Sequence, residues 1–235
     1  MITKKEILDA IHGKMIISCQ AVEDEPLYVE EKSIMYLMAR AAKQAGTPAI
    51  RTSSIRDVVA IKEETGLPVI GLVKIQYPGY EGYITPTMKE VNDLAAAGAD
   101  VVALDCTLRK RGDGTTVNEF IAQIKEKYPD IILMADISNY EEGINAWKCG
   151  VDIVGTTMSG YTAYTISGND EPDYELMERL ARDTDIPVIG EGRIHYPDQA
   201  VKALQTGVWA IVVGGAITRP LEIAQRFQKA IEAGK

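Results

Sequence analysis

Eight short apolar runs, most of them rich in Val and Ile, are spaced along the whole chain, at 15–20, 47–51, 68–74, 100–105, 131–136, 152–156, 187–191 and 209–214. Continuous rather than alternating hydrophobicity marks strands buried on both faces, as in parallel sheets. The segments between them carry apolar residues at helical spacing, from "EKSIMYLMARAAKQAG" and "IRDVVAIKEETG" to the closing "PLEIAQRFQKAIEAG". Gly46 and Gly66, at the ends of the first two, read as helix C-caps. Strand followed by helix, repeated eight times, gives a parallel sheet that is either open or closed.

Internal repetition favours closure. "AAGADVVALD", "KCGVDIVGTT" and "QTGVWAIVVGG" are three copies of one helix-to-strand join, and "LPVIG" and "IPVIG" are two copies of another. Recurrent βα units suit a ring built by repeating them. The 235 residues match the ~250 of one such barrel. With no linker or low-complexity stretch, the expectation is an α/β chain folded as a single (β/α)8 TIM barrel, one domain over residues 1–235. Hydrophobic residues make up 46% and aromatics only 6%, so the core must be aliphatic, as barrel interiors are.

Charge and segment patterns exclude several classes. A formal net charge of -9 argues against general affinity for nucleic acid or an anionic membrane, though not against a local pocket for a small anion. No apolar run reaches the ~18 residues of a membrane span, and the N-terminal "MITKKEILDAIHGK" lacks the apolar centre of a signal peptide. Cys19, Cys106 and Cys149 are widely spaced with no CxxC, as expected of reduced thiols in a cytoplasmic protein.

In barrel enzymes the chemistry sits at the C-terminal ends of the strands. Six runs close there on residues an apolar core would not choose: Gln20, Arg51, Lys74, Asp105, Asp136 and Glu191. Side chains alternate across a strand, so Lys74 shares its face with Ile70 and Leu72, Asp136 with Ile132 and Met134, and Glu191 with Ile189. Plainer roles compete: Asp105 and Asp136 as N-caps of the next helices, Lys74 as a surface lysine, Arg51 as structural glue to Asp136 or Glu191. The remaining two runs lead into "GTTMSGYT", with Thr156 and Thr157, and "VVGGAITRP". Such loops expose backbone N–H groups and hydroxyls without bulk, and a helix opening behind them favours an anion. Gly192, Arg193, Gly214, Gly215 and Arg219 are therefore the phosphate-binding candidates. With only His12 and His195, no HExxH, no Cys/His cluster and no GxSxG, Lys and carboxylates are left to act on a phosphorylated substrate.

The stretches "IISCQAVEDEPLY", "AIRTSS", "LPVIGLVK", "YITPTMKEV", "ADVVALD", "MADIS", "DIVGTTMSGYT", "IPVIGEGRI" and "VVGGAITRP", in this order, resemble the N-acetylmannosamine-6-phosphate 2-epimerases of sialic acid breakdown. The resemblance implies a (β/α)8 barrel that interconverts N-acetylmannosamine 6-phosphate and N-acetylglucosamine 6-phosphate at C2. It implies no cofactor, a cytoplasmic setting and a homodimer. Lys74 and Glu191 match the family's catalytic pair, Gln20, Arg51 and Asp136 its substrate pocket, and Gly215 and Arg219 its phosphate end. Thr156 and Thr157 join the substrate-binding expectations. The chain departs from the family's pattern at Ile75, at Thr52–Ser53–Ser54, at Cys106 and at Ala163. Two other readings compete: another phosphosugar isomerase or epimerase barrel, such as a pentose-phosphate 3-epimerase built on His and Asp metal ligands, and a non-catalytic barrel that senses amino-sugar phosphates.

Overall fold

The structure, a computed structural model, describes residues 2–166 and 168–234. Its eight strands, β1 (Met15–Ser18), β2 (Ile50–Ser53), β3 (Val69–Leu72), β4 (Val101–Asp105), β5 (Ile132–Asp136), β6 (Ile153–Gly155), β7 (Val188–Glu191) and β8 (Ala210–Val213), pair in parallel and in order into a closed barrel. The ring is sealed by β1 against β8, with Ile16 opposite Val212. The helices are α1 (Lys4–Ile11), α2 (Met35–Gln44), α3 (Ile55–Thr65), α4 (Met88–Ala96), α5 (Val117–Lys127), α6 (Tyr140–Lys148), α7 (Tyr174–Asp183), α8 (Pro197–Gln205), α9 (Gly215–Thr218) and α10 (Pro220–Ala233).

Alternation along each strand sorts the core into two layers. Ile16, Ile70, Leu72, Val101, Ala103, Ile132, Met134, Ile153, Ile189, Ala210 and Val212 fill the barrel. Their strand neighbours, such as Val69, Val102, Leu133 and Val188, meet the helices outside. Lys74, Asp136 and Glu191 each continue an interior column, as parity requires.

The strands differ from expectation at their ends. β2 runs on to Ser53, so Arg51 stands within the strand rather than at its end. β1 and β3 stop at Ser18 and Leu72, leaving Gln20 and Lys74 two residues beyond, where side chains lean over the mouth. Helix α2 likewise ends at Gln44, with Ala45 at its C-cap and Gly46 one step later, whereas Gly66 is the left-handed cap of α3. Neither α1 nor α9 was expected as a helix. α1 places Ile7 and Ile11 under the barrel interior.

The threefold repeat has a structural reason. Gly98, Gly150 and Gly207 all take positive φ, 79°, 83° and 91°, the left-handed turn that leads out of a helix cheaply only at glycine. Two residues on, Asp100 accepts from the Val69 N–H and Asp152 from the Leu133 N–H, each at 2.8 Å. Each carboxylate thus satisfies an amide in the first two residues of the neighbouring strand. The third copy has Trp209 there. Its indole N–H donates to Leu8 O at 2.9 Å and its ring stacks on His12 at 4.0 Å, which ties α1 to the barrel floor.

Candidate active site

The helices after β4 and β5 are capped by Thr116 and Asn139, so neither Asp105 nor Asp136 is an N-cap. Asp105 turns its carboxylate to the Thr107 N–H (3.1 Å) and to Arg109 Nη2 (2.5 Å), and it does not border the mouth cavity described below. Asp136 is fully buried and organises the centre of the mouth. Its Oδ2 accepts from Arg51 Nη2 at 2.7 Å, and its Oδ1 accepts from the Thr157 hydroxyl at 2.7 Å.

Glu191, at the tip of β7, reaches the same cluster less tightly. Its Oε1 lies 3.4 Å from Arg51 Nε, without hydrogen-bond alignment. Its Oε2 lies 3.1 Å from Thr157 Oγ1. The backbone behind it is held by Thr156, whose hydroxyl accepts from Glu191 N (3.0 Å) and donates to Glu191 O (2.8 Å). Gly192 follows with φ 112°, a conformation open only to glycine, and this sets the angle at which the chain leaves β7. Burial, and the charge of Asp136, push the Glu191 carboxyl up, against the pull of Arg51.

Lys74 is the other half of the mouth. It forms an antiparallel bridge with Ile84, through which residues 75–85 fold back over the barrel, with Ile75 N on Tyr83 O at 2.9 Å and Thr85 N on Val73 O at 2.7 Å. Among the described residues, no carboxylate lies within ion-pair reach of its Nζ. Burial, with Arg219 and Arg51 nearby, lowers its amine below the usual lysine range, outweighing Glu191 and Glu25. An amine pushed down and a carboxyl pushed up, facing one space, are placed as a base and an acid would be.

That space is a cavity of about 260 Å³. Gln20, Arg51, Lys74, Thr157, Glu191, Gly192, Arg193, Gly214, Gly215 and Arg219 border it. Asp136 and Thr156 do not; they stand behind Arg51, Thr157 and Glu191 and hold them. Gln20 donates to the Ser18 hydroxyl at 2.9 Å and leaves its buried Oε1 without a partner, an acceptor with unused hydrogen-bonding capacity in the cavity wall. At the opposite end Arg219 is gripped by Glu25 and Glu222, each at 2.8 Å. Glu222 lies so close over Gly215 that a methyl there would meet its Oε2 at 2.2 Å. Arg193, at φ 57°, directs its Nη1 to Asn169 O at 2.8 Å, toward the β6 loop. Tyr83, Ile84, Met158 and Tyr161 also line the cavity. Sequence reasoning missed them because only the fold-back at Ile84 and the β6 loop bring them there. Among the described residues no group of three or more His, Cys, Asp or Glu side chains is placed to hold a metal ion.

Residues 35–233 match the family model described as "NanE: Putative N-acetylmannosamine-6-phosphate epimerase". The chain is 54% identical over 222 residues to an N-acetylmannosamine-6-phosphate 2-epimerase homologue of Caldanaerobacter subterraneus subsp. tengcongensis, covering 94% of this chain and 92% of the relative. A homologue of the same name from Clostridioides difficile is 48% identical, with 96% and 99% covered. The solved structure of the N-acetylmannosamine-6-phosphate 2-epimerase from Clostridium perfringens superposes with a TM-score of 0.91 at 46% identity, covering 98% of both chains.

Proposed function

The chain belongs to the N-acetylmannosamine-6-phosphate epimerase family, and from that premise we propose how its own residues invert C2 of N-acetylmannosamine 6-phosphate to give N-acetylglucosamine 6-phosphate. The observation that carries this reading is the convergence of Lys74 and Glu191 on one cavity that also holds the Arg219 end.

In the open-chain sugar the C2 proton is acidified by the adjacent aldehyde. Neutral Lys74 takes that proton. The C2–H electron pair becomes the C1–C2 double bond, and the carbonyl electrons move to O1, which receives the proton of Glu191. The charge developing at O1 forms beside Arg51, a cation already fixed in place and in need of no reorganisation. Rotation about the C2–C3 bond turns the opposite face of the enol toward Lys74, which returns the proton to C2 there while Glu191 takes back the O1 proton as the aldehyde re-forms, so that both groups end as they began. Arg219, with the Gly214–Gly215 turn, takes the phosphoryl group, a dianion that competes with Glu25 and Glu222 for the guanidinium. Gln20 Oε1 accepts from the sugar. Arg193 and Gly192 border the same end. Asp136 and Thr156 act through the groups they hold.

Turnover of N-acetylmannosamine 6-phosphate in deuterium oxide tests this. Formation of the C2 epimer with deuterium at C2 is expected, with and without a chelator. Absence of the epimer, or full activity after Lys74→Ala, would overturn it.

We also propose a homodimer assembled through α10. None of its residues is buried, and Leu221, Phe227 and Ile231 form an exposed apolar stripe, Phe227 at 69%. The three cysteines are free thiols, which supports a reducing cytoplasmic setting. Among the described residues no helix is long and apolar enough to cross a membrane.

A further inference from the structure

The Thr157 hydroxyl lies between two carboxylates, at 2.7 Å from Asp136 Oδ1 and 3.1 Å from Glu191 Oε2. A hydroxyl has one hydrogen to donate and lone pairs to accept with. It cannot donate to both. If both carboxylates were ionised, one of these contacts would set lone pair against lone pair.

We propose that Thr157 is a positioning residue that fixes which carboxylate carries the proton: it gives its hydrogen to Asp136 and accepts the hydrogen of Glu191, so that Glu191 stands in the resting site as the carboxylic acid. The assignment rests on the catalytic reading of Glu191 above and deepens it.

The donor count decides the direction. Asp136 receives both well-formed donations, from Thr157 and from Arg51 Nη2 at 2.7 Å, and charge-assisted bonds of this length mark the anionic partner. Glu191 receives the poorer share. Arg51 Nε, which is buried, has no hydrogen-bond partner although Glu191 Oε1 is 3.4 Å away. An ionised Glu191 would draw that donor into line; a protonated one has no such pull. The groups facing Glu191 are Arg51 on β2, Lys74 beyond β3, Asp136 on β5, and Thr157 and Tyr161 on the β6 loop. Arg51 balances one carboxylate, and Lys74, lowered toward its neutral form, leaves the second without a full counter-charge. When Glu191 releases its proton to substrate, Arg51 Nε is the donor in place to receive the new carboxylate.

The test is a titration of the glutamate carboxyl carbons by ¹³C NMR, with the Glu191 signal identified by its absence in Glu191→Gln. In the unaltered protein Glu191 should be protonated at neutral pH. In Thr157→Val its midpoint should fall by about one pH unit, with kcat/KM reduced, and Thr157→Ser should restore both. An ionised Glu191 at neutral pH in the unaltered protein overturns the proposal without any variant. So does a midpoint in Thr157→Val that stays put or rises, the result expected if Thr157 donates to Glu191. These outcomes do not depend on turnover. An active Lys74→Ala variant would instead sink the functional reading and leave the titration standing.

Discussion

Arg51 and Asp136 form an ion pair across the mouth of the barrel, Nη2 to Oδ2 at 2.7 Å, with side chains only 1% and 0% exposed. The pair joins β2 to β5, strands that are not neighbours in the ring. Other polar groups at the centre are placed against it: Thr157 on the carboxylate, Glu191 beside the guanidinium, and Lys74 within the field of Arg51 and Glu191.

A buried pair is costly to break from one side, because the surviving charge stays desolvated. Arg51→Met or Asp136→Leu alone should therefore destabilise the fold by about 3–5 kcal/mol. The double variant should cost clearly less than the sum. Urea unfolding of the three proteins measures this, and additive losses would show that the two residues do not act as a pair.

Lys74→Met should lower kcat by about 10²–10⁴-fold while raising stability. Burial holds the folded-state amine below the usual lysine value of 10.5. Between the lowered value and the usual one, the unfolded chain binds the proton more readily, so native stability rises with pH across that window. Below it, Lys74 exerts its full destabilising effect. The variant should therefore melt higher than the parent at neutral pH, and the two should converge at strongly alkaline pH. Calorimetry across that range decides it.

Arg219→Ala should act on binding of the phosphoryl group. The expected result is a KM raised about 10–100-fold, from the loss of a charged hydrogen-bonding partner, with kcat much less affected. Inhibition by inorganic phosphate should weaken in parallel. An unchanged KM would place the phosphate elsewhere.

Phe227→Asp with Ile231→Asp should leave the barrel folded and abolish self-association, since α10 contributes no buried residue to the barrel core. Light scattering at several concentrations reads the result. A parent that is already monomeric would overturn the assembly through α10.

Much of the barrel was legible in the residues themselves. Runs buried on both faces, repeated at intervals with glycine-terminated helices between, specify parallel βα units. Two-residue parity then determined that Lys74, Asp136 and Glu191 stand on interior columns, because Ile70, Leu72, Ile132, Met134 and Ile189 carry them there. These are local properties, written in a dozen residues at a time. Only the tertiary structure decided what those side chains meet. Closure of the ring brings Arg51, Asp136, Thr157 and Glu191 together from four places in the chain, and the bridge at Ile84 folds Tyr83 over the mouth. The same closure places Asp136 and Thr156, expected at the sugar, behind the cavity wall, bonded to Arg51, Thr157 and the Glu191 backbone. The physical reason is that hydrophobic alternation chooses a face, whereas the hydrogen-bond partner of a buried charge depends on which other strand delivers a donor within 3 Å, and no short stretch of sequence contains that distance.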